Sequence, residues 1–260
     1  MSVTLYYFSA TGNSLTTARI LAEELGDCRL VPVSAVKDEA KVMETADTVG
    51  FVFPVYYGEM PYPVRELLGK MVFQPESYVF MLNTYRGHGG AVAQRMDALL
   101  RTRGQKLALA MGIPMPGNSF INAPEKDKEY LEQQHANIAA HLDAIRNREV
   151  NSYFSEEVLP LRPVSYPNNF RGITADENCI GCGTCLRVCP MNNIVLKDGK
   201  AVIGDNCATC LSCFHWCPKE AIWMSKKEEM WDRMKQDIAR RSKYQHPQVT
   251  LADIAAQKAK

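Results

Sequence analysis

At 260 residues, with 46% hydrophobic and 23% charged side chains, the chain has ordinary globular composition and is long enough for two cores. A formal net charge of +1 lacks the concentrated basic surface that a phosphate backbone requires, so nucleic acid is not expected as a partner. The strongest apolar run, residues 49–57, is short and broken by Pro54, which excludes membrane insertion through it.

The start of the chain, Met1-Ser2-Val3-Thr4-Leu5, lacks the basic flank and apolar stretch of a secretory signal, which points to a cytoplasmic protein. Val3 to Phe8 reads as a buried strand. Ser9, Ala10, Thr11, Gly12, Asn13 and Ser14 follow as a turn, and Leu15, Ala18, Leu21 and Leu25 then form an apolar stripe at helical spacing. Free N–H groups at a helix start, with nearby hydroxyls, can hold a phosphate without any basic residue. The alternative for the same residues is an ordinary N-cap box with nothing bound. The turn is similar to the T/S-x-T-G-N-T/S loop of flavodoxins, with Ser9 and Ser14 in place of the commoner threonines. That resemblance implies FMN as the ligand.

Cys28–Val33, Thr48–Phe53, Ser77–Asn83 and Gln105–Gly112 read as further strands, with helices near 61–70, 88–102 and 124–149. Five strands alternating with helices predict an α/β domain over 1–150, a doubly wound parallel sheet covered on both faces. In the flavodoxin-like order 2-1-3-4-5, ligands sit beyond the carboxyl ends of the first, third and fourth strands. Two more loops reach that edge: Pro54-Val55-Tyr56-Tyr57-Gly58 and Asn83-Thr84-Tyr85-Arg86-Gly87-His88-Gly89-Gly90. Each sets an aromatic beside glycine. By resemblance to flavodoxins, Tyr56 or Tyr57 and Tyr85 would flank the flavin ring, and a glycine peptide would turn toward it. The flavodoxin Trp of the first such loop is absent here. Nicotinamide is not expected, because Gly87 and Gly89 are followed by Val92 where a third glycine belongs. Cys28 reads as a small buried hydrophobe, and His88 and His215 as surface or capping residues.

Residues 151–172, with Pro160, Pro163 and Pro167 and no period, read as a linker. Then eight of the nine cysteines fall between 179 and 217. Cys179, Cys182, Cys185 and Cys189-Pro190 spell C-x-x-C-x-x-C-x-x-x-C-P, and Cys207, Cys210, Cys213 and Cys217-Pro218 repeat it 28 residues on. In a reducing compartment such a block reads as metal ligands rather than disulfides. A pair of zinc sites is the competing reading, although zinc ribbons use two separated pairs. The block resembles the bacterial two-cluster ferredoxin over 173–225, a small α+β domain. The resemblance implies two 4Fe-4S clusters with crossed ligation: Cys179, Cys182, Cys185 and Cys217 on one, Cys207, Cys210, Cys213 and Cys189 on the other. Gly181 and Gly183 would let the backbone approach the first cluster. The second half has Ala208, Thr209, Leu211 and Ser212 there, so the two potentials need not agree.

Residues 226–260 carry nine basic and five acidic side chains and read as a helical tail, a solvated amphipathic helix in the plain reading, with folding back on the anionic cluster domain or facing a partner as the alternatives. The whole chain resembles the flavodoxin-ferredoxin fusion family. That resemblance implies an electron carrier linking one-electron clusters to FMN and exchanging with a redox protein or reductase. Two other readings stand beside it: an FMN-dependent reductase of a small molecule fed by its own clusters, and a zinc-stabilised scaffold or redox sensor. No general acid or base is distinguishable in the sequence.

Overall fold

A strand with apolar residues on both faces needs cover on both sides. In the first strand, Val3, Leu5 and Tyr7 enter one core while Tyr6 and the following Phe8 enter another. The computed structural model describes residues 2–56, 58–118, 123–151, 173–224 and 243–258. Its first seven strands are β1 (Val3–Tyr7), β2 (Cys28–Pro32), β3 (Val42–Met43), β4 (Thr48–Pro54), β5 (Met71–Val72), β6 (Tyr78–Tyr85) and β7 (Leu109–Pro114). Five of them form one parallel sheet in the order β2-β1-β4-β6-β7, which is the flavodoxin-like order of second, first, third, fourth and fifth.

Three α-helices connect these strands, α1 (Asn13–Leu25), α2 (Tyr62–Lys70) and α3 (Val92–Arg101), and α4 (Pro124–Arg146) follows β7. Leu15, Leu21, Ile138 and Leu142 from α1 and α4 pack on one face of the sheet. Val64, Leu67, Met96 and Leu100 from α2 and α3 pack on the other. The expected fifth strand shifts from Gln105–Gly112 to Leu109–Pro114 because Gln105 acts as a clamp. Its amide nitrogen donates to the carbonyls of Gln74 and Ser77, and its own Oε1 accepts from Lys106 N–H, so the ladder begins only at Phe80 opposite Leu109. β3 and β5 form a separate parallel pair, and strands of two residues leave no period to read. Asn151 binds the β7 edge through its side chain, accepting from Ala110 N–H and donating to Ala110 O. The rest of the expected linker lies outside the described residues.

The cysteine repeat folds as a structural repeat. Its elements are β8 (Ile173–Ala175), α5 (Thr184–Val188), β9 (Ile194–Lys197), β10 (Lys200–Ile203), α6 (Ser212–Trp216) and β11 (Ile222–Met224). β8 pairs antiparallel with β11, and β9 with β10, around a core of Ile173, Ile194, Ala201, Leu211, Phe214 and Ile222. Of the expected helical tail, residues 226–242 lie outside the described residues, and 243–250 are not helical. Among the described residues of the tail the helix is α7 (Leu251–Ala255), opened by a Thr250–Asp253 capping box. Among the described residues, no helix is long and apolar enough to cross a membrane.

Candidate flavin and cluster sites

The turn after β1 is held from outside by three parts of the chain. Gln257 donates to Ser9 O and accepts from Ser9 N–H; Ser212 and Trp216 both donate to Ala10 O, at 3.1 and 2.9 Å; His246 N–H donates to Thr11 O at 2.8 Å. With its carbonyls engaged by these outer partners, the turn stays in one shape. Gly12 is the N-cap of α1 at φ +108°, and no side chain caps the helix. The plain capping-box reading is therefore not realised, and no side chain takes up the first N–H groups of α1. Trp216→Phe removes one of the two donors to Ala10 O and is expected to lower stability by about 1 kcal/mol, read as a shift in the urea midpoint.

His246 is buried, with Gln134 Oε1 2.9 Å from Nε2 and Thr16 Oγ1 3.2 Å from Nδ1, both neutral. Burial pushes its pKa down from 6.5 to about 4. The unfolded chain takes up this proton near the ordinary value and the folded chain near the depressed one, so the stabilisation is complete at neutral pH and is lost as pH falls from 6.5 toward 4. The expected loss across that window is about 2–3 kcal/mol. A series of urea melts would read it, and His246→Gln should flatten the slope there.

Beyond the carboxyl edge of the sheet lies a cavity of about 460 Å³. Ser9, Ala10, Thr11, Asn13 and Ser14 line it, with Pro54, Val55, Tyr56 and Gly58 from the loop after β4 and Thr84 and Tyr85 from the end of β6. Ser14 and Thr84 join their hydroxyls at 2.9 Å. Tyr56 and Glu59 exchange backbone hydrogen bonds, which puts Gly58, at φ +76°, at the tip of a tight turn. Tyr57 lies outside the described residues. The remaining expected residues stand apart from this cavity. Asn83 alternates with Thr84 along β6, so its side chain reaches Gly112 instead. With Gly87, Gly89 and Gly90 it lines a second cavity, of about 690 Å³, beside β7. Gly12 faces His246 and Val249 on the outer side of the turn.

Several lining residues carry no signal in the flavodoxin-like loops. Arg86 reaches the cavity while paired with Asp127 at 2.7 Å, and exposed His88 lies at the same rim. The loop after β7 adds Met115 to Asn118; its Pro116-Gly117-Asn118 turn and its position after the fifth strand were the available cues. Thr209 and Leu211 enter from the cysteine repeat. Asn118 joins the parts: its Nδ2 donates to Cys210 O at 2.8 Å and to the Tyr56 hydroxyl at 3.2 Å. His215 is fully buried, correcting its placement at the surface. Its Nδ1 accepts from Tyr244 N–H, which leaves the proton on Nε2, facing Asn118 O at 3.1 Å.

Cys179, Cys182, Cys185 and Cys217 line one small cavity together. Burial pushes the Cys185 thiol up to about 11, and Cys179, Cys182 and Cys217 add to the push. Burial also raises Cys213 well above the ordinary thiol value, with Cys210, Cys207, Cys189 and Cys185 contributing. Cys185 and Cys213, both buried, thus each sense cysteines from both halves of the repeat. Thiolates so desolvated need the positive charge of iron to be held in that form. Backbone N–H groups of Asn193, Ala201, Thr209 and Ala221 point at the sulfurs of Cys189, Cys179, Cys207 and Cys217, at 3.3–3.5 Å. Donors of this kind tune cluster potentials. Among the described residues, no three His, Cys, Asp or Glu side chains converge as the ligands of a single ion do.

Residues 178–222 match the family model of the 4Fe-4S dicluster domain. The 4Fe-4S dicluster match thus follows a parallel sheet in flavodoxin-like strand order, a two-part organisation consistent with a flavodoxin-ferredoxin fusion. Among solved structures, the chain is similar to a flavodoxin from the domain Archaea, at 15% identity and a TM-score of 0.34, covering 56% of this chain and 99% of that one. It is also similar to the Streptococcus pneumonia TIGR4 flavodoxin (20%, TM-score 0.35, 54% and 99%) and to an azoreductase from Bacillus anthracis str. Sterne (14%, TM-score 0.38, 55% and 99%). The fold assignment rests on strand order rather than on these values. No curated protein matches the chain significantly in sequence.

Proposed function

We propose that this chain passes single electrons between two 4Fe-4S clusters and FMN and exchanges them with an external redox protein. The observation that carries this reading is a shared wall. Thr209 and Leu211, on either side of Cys210, line the same cavity as the phosphate loop and Tyr56. Tunnelling falls off steeply with distance, and here cluster ligand and flavin cavity are separated by single residues. FMN, when bound, would supply two-electron capacity filled in single steps, which a cluster alone lacks.

In this reading each group of residues has one task. The α1 N-terminus with Ser9, Thr11 and Ser14 holds the phosphate, and Tyr56 and Tyr85 flank the ring. Cys189, Cys207, Cys210 and Cys213 hold the cluster nearer the flavin. Cys179, Cys182, Cys185 and Cys217 hold the farther one. Cys182 is exposed and the neighbouring Ile180 is 61% exposed, so the farther cluster faces the partner. The order of transfer is then partner, farther cluster, nearer cluster and flavin, or the reverse.

Anaerobic purification with iron, sulfide and FMN measured together tests the assignment. About eight irons and one flavin per chain are expected, and chemical reduction of the clusters should bleach the flavin's visible band. Zinc at the cysteines, or a flavin that stays oxidised beside reduced clusters, would sink the proposal.

A further inference from the structure

The two halves of the cysteine repeat differ where the backbone turns left-handed. In the first half these positions are Gly181 at φ +65° and Gly183 at φ +75°. Their counterparts 28 residues on are Thr209 at φ +52° and Leu211 at φ +58°. Glycine adopts such angles freely, whereas a β-branched residue there is strained. At these two positions the first half carries the residue that takes the angle without strain, and the half that meets the flavin cavity does not. Leu211 offsets its strain by packing in the cluster domain's own core. For Thr209 a second unfavourable feature adds to the first.

Thr209 is 4% exposed, and its Oγ1 is buried with no hydrogen-bond partner among the described residues. An unpaired buried hydroxyl is disfavoured. Glycine or alanine at this position would remove that penalty, and glycine would remove the strain as well. The side chain lines the cavity that the phosphate loop also lines, and the Thr209 N–H donates to Cys207 Sγ at 3.3 Å. A ligand in the cavity that offers a polar atom would pair this hydroxyl once the Thr209 side chain turns toward it.

We propose that Thr209 is a flavin-contacting residue contributed by the iron–sulfur domain, its hydroxyl hydrogen-bonding a polar atom of the bound FMN. This rests on the reading that the cavity takes FMN. One residue then touches both redox groups, the flavin through Oγ1 and the nearer cluster through N–H. The strained threonine positions the flavin against the cluster; it is not a catalytic residue.

The test uses the full, cluster-loaded chain as native protein, Thr209→Ser, Thr209→Val and Thr209→Gly. FMN affinity is read by fluorescence titration, and thermal unfolding is followed without FMN. Thr209→Ser should bind FMN like the native chain. Thr209→Val and Thr209→Gly should each bind roughly five- to tenfold more weakly, while the flavin-free Gly variant unfolds no earlier than native. Native FMN binding that Val and Gly leave within twofold would overturn the role of Thr209 and spare the functional reading. A cluster-loaded native chain that binds no FMN would overturn both.

Discussion

Gly12→Ala is expected to abolish useful FMN binding. At φ +108° a non-glycine residue is strained by about 1–2 kcal/mol. The added Cβ would also stand 2.7 Å from His246 Cβ and 2.9 Å from Val249 Cβ, closer than carbon atoms pack. Neither neighbour can give way easily, because His246 is hydrogen-bonded to Gln134 and its N–H is fixed on Thr11 O. Overpacking of this kind adds about 1–3 kcal/mol. The whole penalty falls on the turn that would hold the phosphate. FMN titration and thermal unfolding together read the result, and an alanine variant that binds and melts like the native chain would show that the turn does not hold the cofactor in this shape.

Cys210→Ala should cut the wire at its inner end. Removing one thiolate ligand is expected to drop the iron content from about eight to about four per chain, with the flavin still bound but no longer reduced through the clusters. Cys182→Ala should also halve the iron, yet leave a flavin that a small chemical reductant can still bleach through the remaining inner cluster. Iron analysis and anaerobic stopped-flow absorbance distinguish the two. If both variants lost flavin reduction equally under the small reductant, the order of the clusters proposed above would be wrong.

Much of the fold could be read from the chain because its strongest signals are local. Val3–Phe8, Thr48–Phe53 and Ser77–Asn83 are apolar on both faces and bounded by turn residues, and each lies within two residues of a strand of the sheet. The cysteine repeat is likewise local, since its spacing follows from wrapping a chain around a small inorganic core. What stayed hidden depends on contacts between distant residues. Gln105 looks like strand until its amide is seen on Gln74 and Ser77. His215 and His246 look like surface histidines until the two domains and residues 243–258 close over them. The 9–14 turn and Tyr56 were legible as candidate site residues, and they do line one cavity; the wall of Thr209, Leu211 and Asn118 was not, because it exists only where the two domains meet.

The bond between Gln257 and Ser9 spans 248 residues of chain. At about 5–20 residues per second, a ribosome delivers the second partner roughly 12–50 s after the first. The parallel sheet can form early in that interval, but the turn beneath Ser9, Ala10 and Thr11 gains its outer braces only after the cysteine repeat and Gln257 have both emerged. On the function proposed above, flavin would therefore load only after the loop around Cys210 has docked.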